Sequence, residues 1–167
     1  MKRSLTAAIL TVSDTCSRGA AEDTAGPALG DLLRRLVGAE IVATECVPDE
    51  TESIVRVLTA WANDAPRPDL ILTTGGTGLA SRDITPEATA QVLERRHPAL
   101  LELARSRCYP TTPLAALSRG EAGTVARSLV INLPGSQRGA TQTLSALADV
   151  LPHAISALRG EEDHGPR

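Results

Sequence analysis

Four short polar segments carry the residues that could do chemistry: Ser13-Asp14, Pro48-Asp49-Glu50, Thr74-Gly75-Gly76-Thr77-Gly78 and Asn132-Leu133-Pro134-Gly135-Ser136. The glycine segment suits an anion. Consecutive N–H groups unscreened by side chains form a nest for phosphate oxygens, and a helix that follows such a turn adds its dipole. A plain strand-ending turn would use the same residues. The segment is not a P-loop, since no Gly-Lys-Ser/Thr follows, and its spacing is not that of G-x-G-x-x-G. Asp14, Asp49 and Asp83 are the other candidates. Singly, each could cap a helix or fix a turn. Gathered at one edge they would repel, by about 4 kcal/mol for two unit charges about 4 Å apart at an effective dielectric of roughly 20. A hard cation such as Mg²⁺ would relieve that repulsion and bridge carboxylates to phosphates.

Arg82 and Arg119 are candidates for neutralising charge on a transferred phosphoryl group, or else solvated surface arginines. His97, His153 and His164 have no ligand spacing and read as structural or exposed. No G-x-S-x-G elbow and no Cys–His pairing is present, so nucleophilic catalysis by a side chain is not favoured. Phosphoryl-type transfer needs little covalent help, because it runs on positioning and charge stabilisation.

The elements that must hold these segments alternate. Residues 5–12, 41–47, 70–73 and 128–133 are short apolar runs, as expected for strands buried on both faces. Between them lie helical patterns. Leu29, Leu32, Leu33 and Leu36 form one stripe, opened by Pro27 and capped by Gly38. Ile54, Leu58, Trp61 and Ala62 form a second, with Asp49 or Thr51 as its cap. Thr85-Pro86-Glu87 reads as a cap, a proline at the first position and a first-turn acid. Pro98 opens another helix, and Pro152 kinks or restarts the last, which ends near Gly160. Residues 108–124 read as irregular. This alternation predicts an α/β fold in three layers, α/β/α, with a mostly parallel central sheet. Such sheets bind ligands beyond the carboxyl ends of their strands, which is where all four polar segments fall. Residues 1–160 read as one domain and 161–167 as a disordered tail.

Composition narrows the class. The chain has 167 residues, enough for a core without staples, with 42% hydrophobic and 22% charged residues. One Trp, one Tyr and no Phe leave little for base stacking, and a net charge of −3 without a basic run argues against a nucleic-acid partner. Three cysteines without C-x-x-C spacing argue against a disulfide framework or structural zinc and suit reduced cytoplasmic thiols. The opening apolar run is too short for a signal peptide or a membrane span.

The ordered motifs resemble a known family. They include Thr11-Val12-Ser13-Asp14, Ser17-Arg18-Gly19, Val47-Pro48-Asp49-Glu50 and Leu72-Thr73-Thr74-Gly75-Gly76-Thr77-Gly78. They continue with Arg82-Asp83-Ile84-Thr85-Pro86-Glu87, Thr112-Pro113-Leu114, Leu117-Ser118-Arg119 and Ile131-Asn132-Leu133-Pro134-Gly135-Ser136. Together they resemble the MogA-type molybdopterin adenylyltransferases, a family that includes the N-terminal domain of gephyrin. The resemblance implies transfer of AMP from Mg-ATP to the terminal phosphate of molybdopterin, a homotrimer, a cytoplasmic location and hand-over of product to a molybdenum insertase. It ties Asp49 and Asp83 to catalysis and to the metal. It places Ser13, Asp14, Thr74, Gly75, Gly76, Thr77, Gly78, Ser118, Arg119, Asn132, Pro134, Gly135 and Ser136 at the substrates. Thr24-Ala25, Leu79, Ser81 and Ala126-Arg127 depart from the family pattern but spare the acids and glycines.

Three other readings stay open. The MoaB branch shares the glycine, Arg-Asp and Pro-Gly-Ser motifs, although Asn132–Ser136 and the 151–160 ending read as MogA-type. A non-catalytic carrier or trimeric scaffold would not need the acids. A nucleotide-binding domain with another acceptor fits the patterning alone.

Overall fold

The first apolar run becomes strand β1 (Thr6–Val12), six of whose seven residues are buried. That burial on both faces follows from its place between two neighbours. In the computed structural model, which describes residues 4–65 and 67–161, the sheet order is β2-β1-β3-β6-β5-β4. Here β2 is Glu40–Val47, β3 Leu70–Thr74, β4 Arg95–Arg96, β5 Ala122–Val125 and β6 Ser128–Leu133. β1 pairs in parallel with β2 and β3, and β3 with β6, while β5 and β4 add on antiparallel. The fold is therefore the three-layer α/β arrangement with a mostly parallel sheet.

Strand alternation splits the core in two. Ala7, Ile9, Leu70, Leu72, Leu129 and Ile131 face one side, beneath α2 (Ala25–Val37), α5 (Pro98–Cys108), α6 (Gln137–Leu147) and α7 (Leu151–Arg159). Ala8, Leu10, Ile71 and Val130 face the other, beneath α3 (Thr51–Asn63) and α4 (Thr85–Val92). The single Trp61 packs there, and the core is otherwise small aliphatic side chains.

The expected element boundaries shift in several places. The first helical stripe holds at Leu29, Leu32 and Leu33, but Leu36 is 43% exposed at the end of its helix. That helix begins at Ala25, ahead of Pro27, and ends as expected on Gly38 with left-handed φ. Neither Asp49 nor Thr51 caps α3; Glu50 holds the cap position, and the Asp49 carboxylate is turned elsewhere. Thr85 is inside α4, with Ile84 at the cap position. Residues 108–124 are more regular than expected: a 3-10 turn (Pro113–Leu117) and β5 lie within them. β5 is short and carries Gly123 because a methyl there would fall 2.2 Å from the Arg95 carbonyl oxygen, so no apolar period marks it. Residues 162–167, with His164 and most of the expected tail, lie outside the described residues.

At the amino ends of the strands a closed polar cluster forms. Asp69, just before β3, accepts from the Thr6 N–H and hydroxyl and, bidentately, from Arg159 at 2.9 and 2.6 Å.

Candidate active site

Parallel register brings the chemistry-bearing segments to one edge. Val12 lies opposite Val47, Thr11 opposite Thr74, and Thr74 opposite Leu133. The residues that follow, Ser13, Pro48, Gly75 and Pro134, therefore leave the sheet side by side. The glycine loop is locked to its neighbours. Gly75 adopts φ +105°, and a methyl there would sit 2.1 Å from the Val12 carbonyl oxygen. Its N–H donates to Leu133 O, and the Thr74 hydroxyl donates to Pro134 O at 2.7 Å. Beyond it, the N–H groups of Gly76, Thr77 and Gly78 make no hydrogen bond among the described residues.

These three residues line a cleft of about 670 Å³. Gly76, Thr77, Gly78 and Asp83 form one wall, and Pro134, Gly135 and Ser136 form the floor. Leu114, Leu117 and Ser118 also line it, with the Ser118 hydroxyl against Thr77. Ser136 caps α6, its hydroxyl accepting from the Gly139 N–H at 3.1 Å, so the positive end of an eleven-residue helix faces the cleft. Arg138 adds positive charge at the rim.

The acids gather around the glycine loop but not on one side of it. Asp14 and Asp49 are bound reciprocally: each backbone N–H donates to the other's carboxylate, at 2.9 and 3.0 Å. Arg82 donates to Asp14 Oδ2 at 2.8 and 2.6 Å and reaches the Asp49 carbonyl. The Asp49 N–H first, and Arg82 with it, hold the Asp14 carboxyl below its ordinary range. Burial instead pushes Asp49 up, helped by the charges of Asp14 and Asp83 and opposed by the Asp14 N–H and Arg82. The repulsion expected at this edge is thus relieved in part by Arg82. Among the described residues no three acidic, cysteine or histidine side chains form a metal cage. Asp83 lines the main cleft, whereas Asp14, Arg18 and Arg82 line a separate recess of about 520 Å³. Asp49 Oδ1 lies between, 3.2 Å from where a Gly76 methyl would stand.

The sequence-derived site residues divide. Gly76, Thr77, Gly78, Asp83, Ser118, Pro134, Gly135 and Ser136 meet at the cleft. Ser13 caps the short helix α1 (Asp14–Ser17), and Thr74 and Gly75 lie beneath the loop as its anchors. Two expected substrate contacts take other roles. Asn132 is fully buried; its amide donates to Thr73 and Thr89 and its carbonyl accepts from the Glu121 N–H, so it ties β6 to its neighbours under the cleft. Arg119 points its guanidinium at Gly78 O, Asp83 O and Glu87. The Leu114 and Leu117 wall and the Gly139–Thr143 face of α6 escaped sequence reading; two leucines in a Pro-Thr-rich stretch were the available signal. His97 and His153 are exposed, as expected.

The chain is similar to several known proteins. The profile of a family described as "Probable molybdopterin binding domain" matches residues 8–153. The Molybdopterin adenylyltransferase of Helicobacter pylori J99 is 38% identical, over 91% of this chain and 86% of its own length. The Molybdenum cofactor synthesis protein cinnamon of Drosophila melanogaster is 41% identical over 91% of this chain, which spans only 25% of that protein. The crystal structure of the molybdopterin biosynthesis enzyme MoaB from Thermus thermophilus superposes with a TM-score of 0.86 at 49% identity, covering 93% of this chain and 97% of the other. A structure named for MogA superposes with a TM-score of 0.84 at 37% identity, so proteins of both names are among those similar to this chain.

Proposed function

From the premise that the chain belongs to the probable molybdopterin binding domain family, we propose that it is an adenylyltransferase moving AMP from ATP to molybdopterin. An oxygen of the molybdopterin terminal phosphate attacks the α-phosphorus, the bond to the β-phosphate oxygen breaks, and pyrophosphate leaves. The observation that carries this reading is the convergence of the Gly76–Gly78 N–H nest, the Asp83 carboxylate and the start of α6 around one cleft. Unpaired N–H groups and a helix start stabilise negative charge spread over phosphate oxygens. The 670 Å³ volume lies in the range of small-molecule sites.

Asp49 and Asp83 are assigned to catalysis and to the metal. Asp49 Oδ1 and Asp83 Oδ1 accept no protein hydrogen bond among the described residues, since Asp14 and Ala80 take the other oxygens. Two free carboxylate oxygens beside a phosphate nest fit Mg²⁺, which uses one or two carboxylates and completes its shell with phosphates and water. Bound there, Mg²⁺ would neutralise polyphosphate charge. The raised Asp49 carboxyl sits near the loop where phosphate charge concentrates, while the Asp49 N–H and Arg82 hold the Asp14 carboxyl down and Arg82 reaches the Asp49 carbonyl. Leu114 and Leu117 supply an apolar wall for a flat heterocycle.

The three cysteines are free, which suits a reducing compartment. Among the described residues no helix is long and apolar enough to cross a membrane. The homotrimer rests on the family resemblance alone; delivery to an insertase rests on it too, and relatives in which this domain is a fraction of a longer chain support that link. Purified chain mixed with molybdopterin, ATP and Mg²⁺ tests the reading. Pyrophosphate release that requires molybdopterin and stops on chelation supports it; tight molybdopterin binding without release makes the protein a carrier.

A further inference from the structure

Arg119 spends every arm of its guanidinium on one turn. Its Nε donates to Gly78 O at 2.8 Å, its Nη2 to Asp83 O at 2.6 Å, and its Nη1 pairs with the Glu87 carboxylate in the first turn of α4. Its backbone N–H donates to Thr77 O at 2.8 Å, and the adjacent Ser118 hydroxyl donates to the Thr77 hydroxyl at 3.3 Å. One side chain therefore grips both ends of the 78–83 turn. That turn carries Asp83 into the cleft; within it the Ala80 N–H donates to the Asp83 carboxylate and the Asp83 N–H to Ala80 O, and Arg82 ties its outer side to Asp14 and the Asp49 carbonyl. Leu79 on it is 70% exposed. The planar fork matters, because three acceptors lie in three directions and a lysine ammonium cannot meet them in one rotamer.

We infer that Arg119 is a positioning residue that sets the placement of Asp83 against the reacting phosphate, with Glu87 as the anchor of the clamp. Each nitrogen of its guanidinium is bonded to the protein. The inference rests on the adenylyltransferase reading for its catalytic consequence, but not for the clamp itself.

Two readouts separate these layers. Amide hydrogen exchange across residues 79–83 reads the clamp without any reaction. Arg119→Lys and Glu87→Ala should both accelerate exchange there while leaving the thermal midpoint close to wild type. Steady-state pyrophosphate release reads the consequence: kcat should fall by about tenfold or more in both variants, with KM for ATP nearly unchanged. The double variant should lose little beyond either single one, because the two residues act as one unit. Glu87→Gln, which keeps an acceptor, should restore most of the rate. Unchanged exchange in Arg119→Lys overturns the clamp. A raised KM for ATP with kcat intact, and no effect of Glu87→Ala, overturns positioning and makes Arg119 a phosphate ligand. A wild-type protein that releases no pyrophosphate defeats the transferase reading and the catalytic consequence, while the exchange data still decide the clamp.

Discussion

Asp69 and Asp49 sit at opposite ends of the same parallel strands, and arginine reaches both neighbourhoods. At the amino ends, Asp69 takes both arms of Arg159, the Thr6 hydroxyl and the Thr6 N–H; its side chain is 9% exposed. Burial alone would raise its carboxyl, yet Arg159 and the Thr6 donors outweigh it and bring it down to about 2. At the carboxyl ends, Arg82 grips Asp14 and only the backbone of Asp49, and burial leaves the Asp49 carboxyl raised. Here polar groups stay unsatisfied among the described residues: the Gly76–Gly78 N–H groups, and the Thr85 hydroxyl, which is buried without a partner beside Gly76. The same residue types make a closed staple at one end and a charged, under-satisfied rim at the other. Completed networks stabilise a fold, whereas incomplete ones are held in place by the surrounding structure and await a ligand.

The sharpest way to break this contrast is to cross the substitutions. Asp83→Ala or Asp49→Ala should lower turnover by a factor on the order of 10³, about 4 kcal/mol of barrier, while thermal unfolding stays near wild type. A fall in stability without loss of rate would reverse their assignment. Asp69→Ala should do the opposite, removing about 3 kcal/mol of stability by taking from Arg159 and the Thr6 donors the part-buried carboxylate they share, while kcat per folded molecule is retained. Denaturant midpoints measure it. The same pair fixes an acid limb. The folded Asp69 carboxyl lies below its ordinary value of 3.8, so its contribution is complete above that pH and is lost as pH falls through about 2. The slope of stability against pH in that window should flatten in Asp69→Ala. Gly75→Ala joins the two ends, because its left-handed φ and the Val12 carbonyl both oppose a methyl. About 2 kcal/mol of stability should go, together with activity, as the loop shifts. Least severe is Ser136→Ala, which should cost about 1 kcal/mol by uncapping α6.

Much of this layout is readable from the chain. The four apolar runs each end in a polar turn, and parallel pairing alone then dictates that the turns converge. The strands β4 and β5 were not readable, since two arginines and an Ala-Gly-Thr-Val run carry no period and depend on a neighbour to form. Within the site, residue type misleads about direction. Asn132 alternates with Ile131 and Leu133 and so faces the α3–α4 layer with Val130, where Thr89 awaits it; strand parity could have told that. Nothing local reveals that Arg119 folds back on Gly78 and Asp83, because its partners lie 41 and 36 residues away.

The central claim is that the carboxyl-end rim transfers an adenylyl group. Incubating the protein with molybdopterin, a divalent metal and ATP labelled at either the α- or the γ-phosphate tests it most directly. The account predicts α-label on the pterin product and γ-label in free pyrophosphate. Label from the γ-phosphate on the pterin, or none from either position, would contradict it.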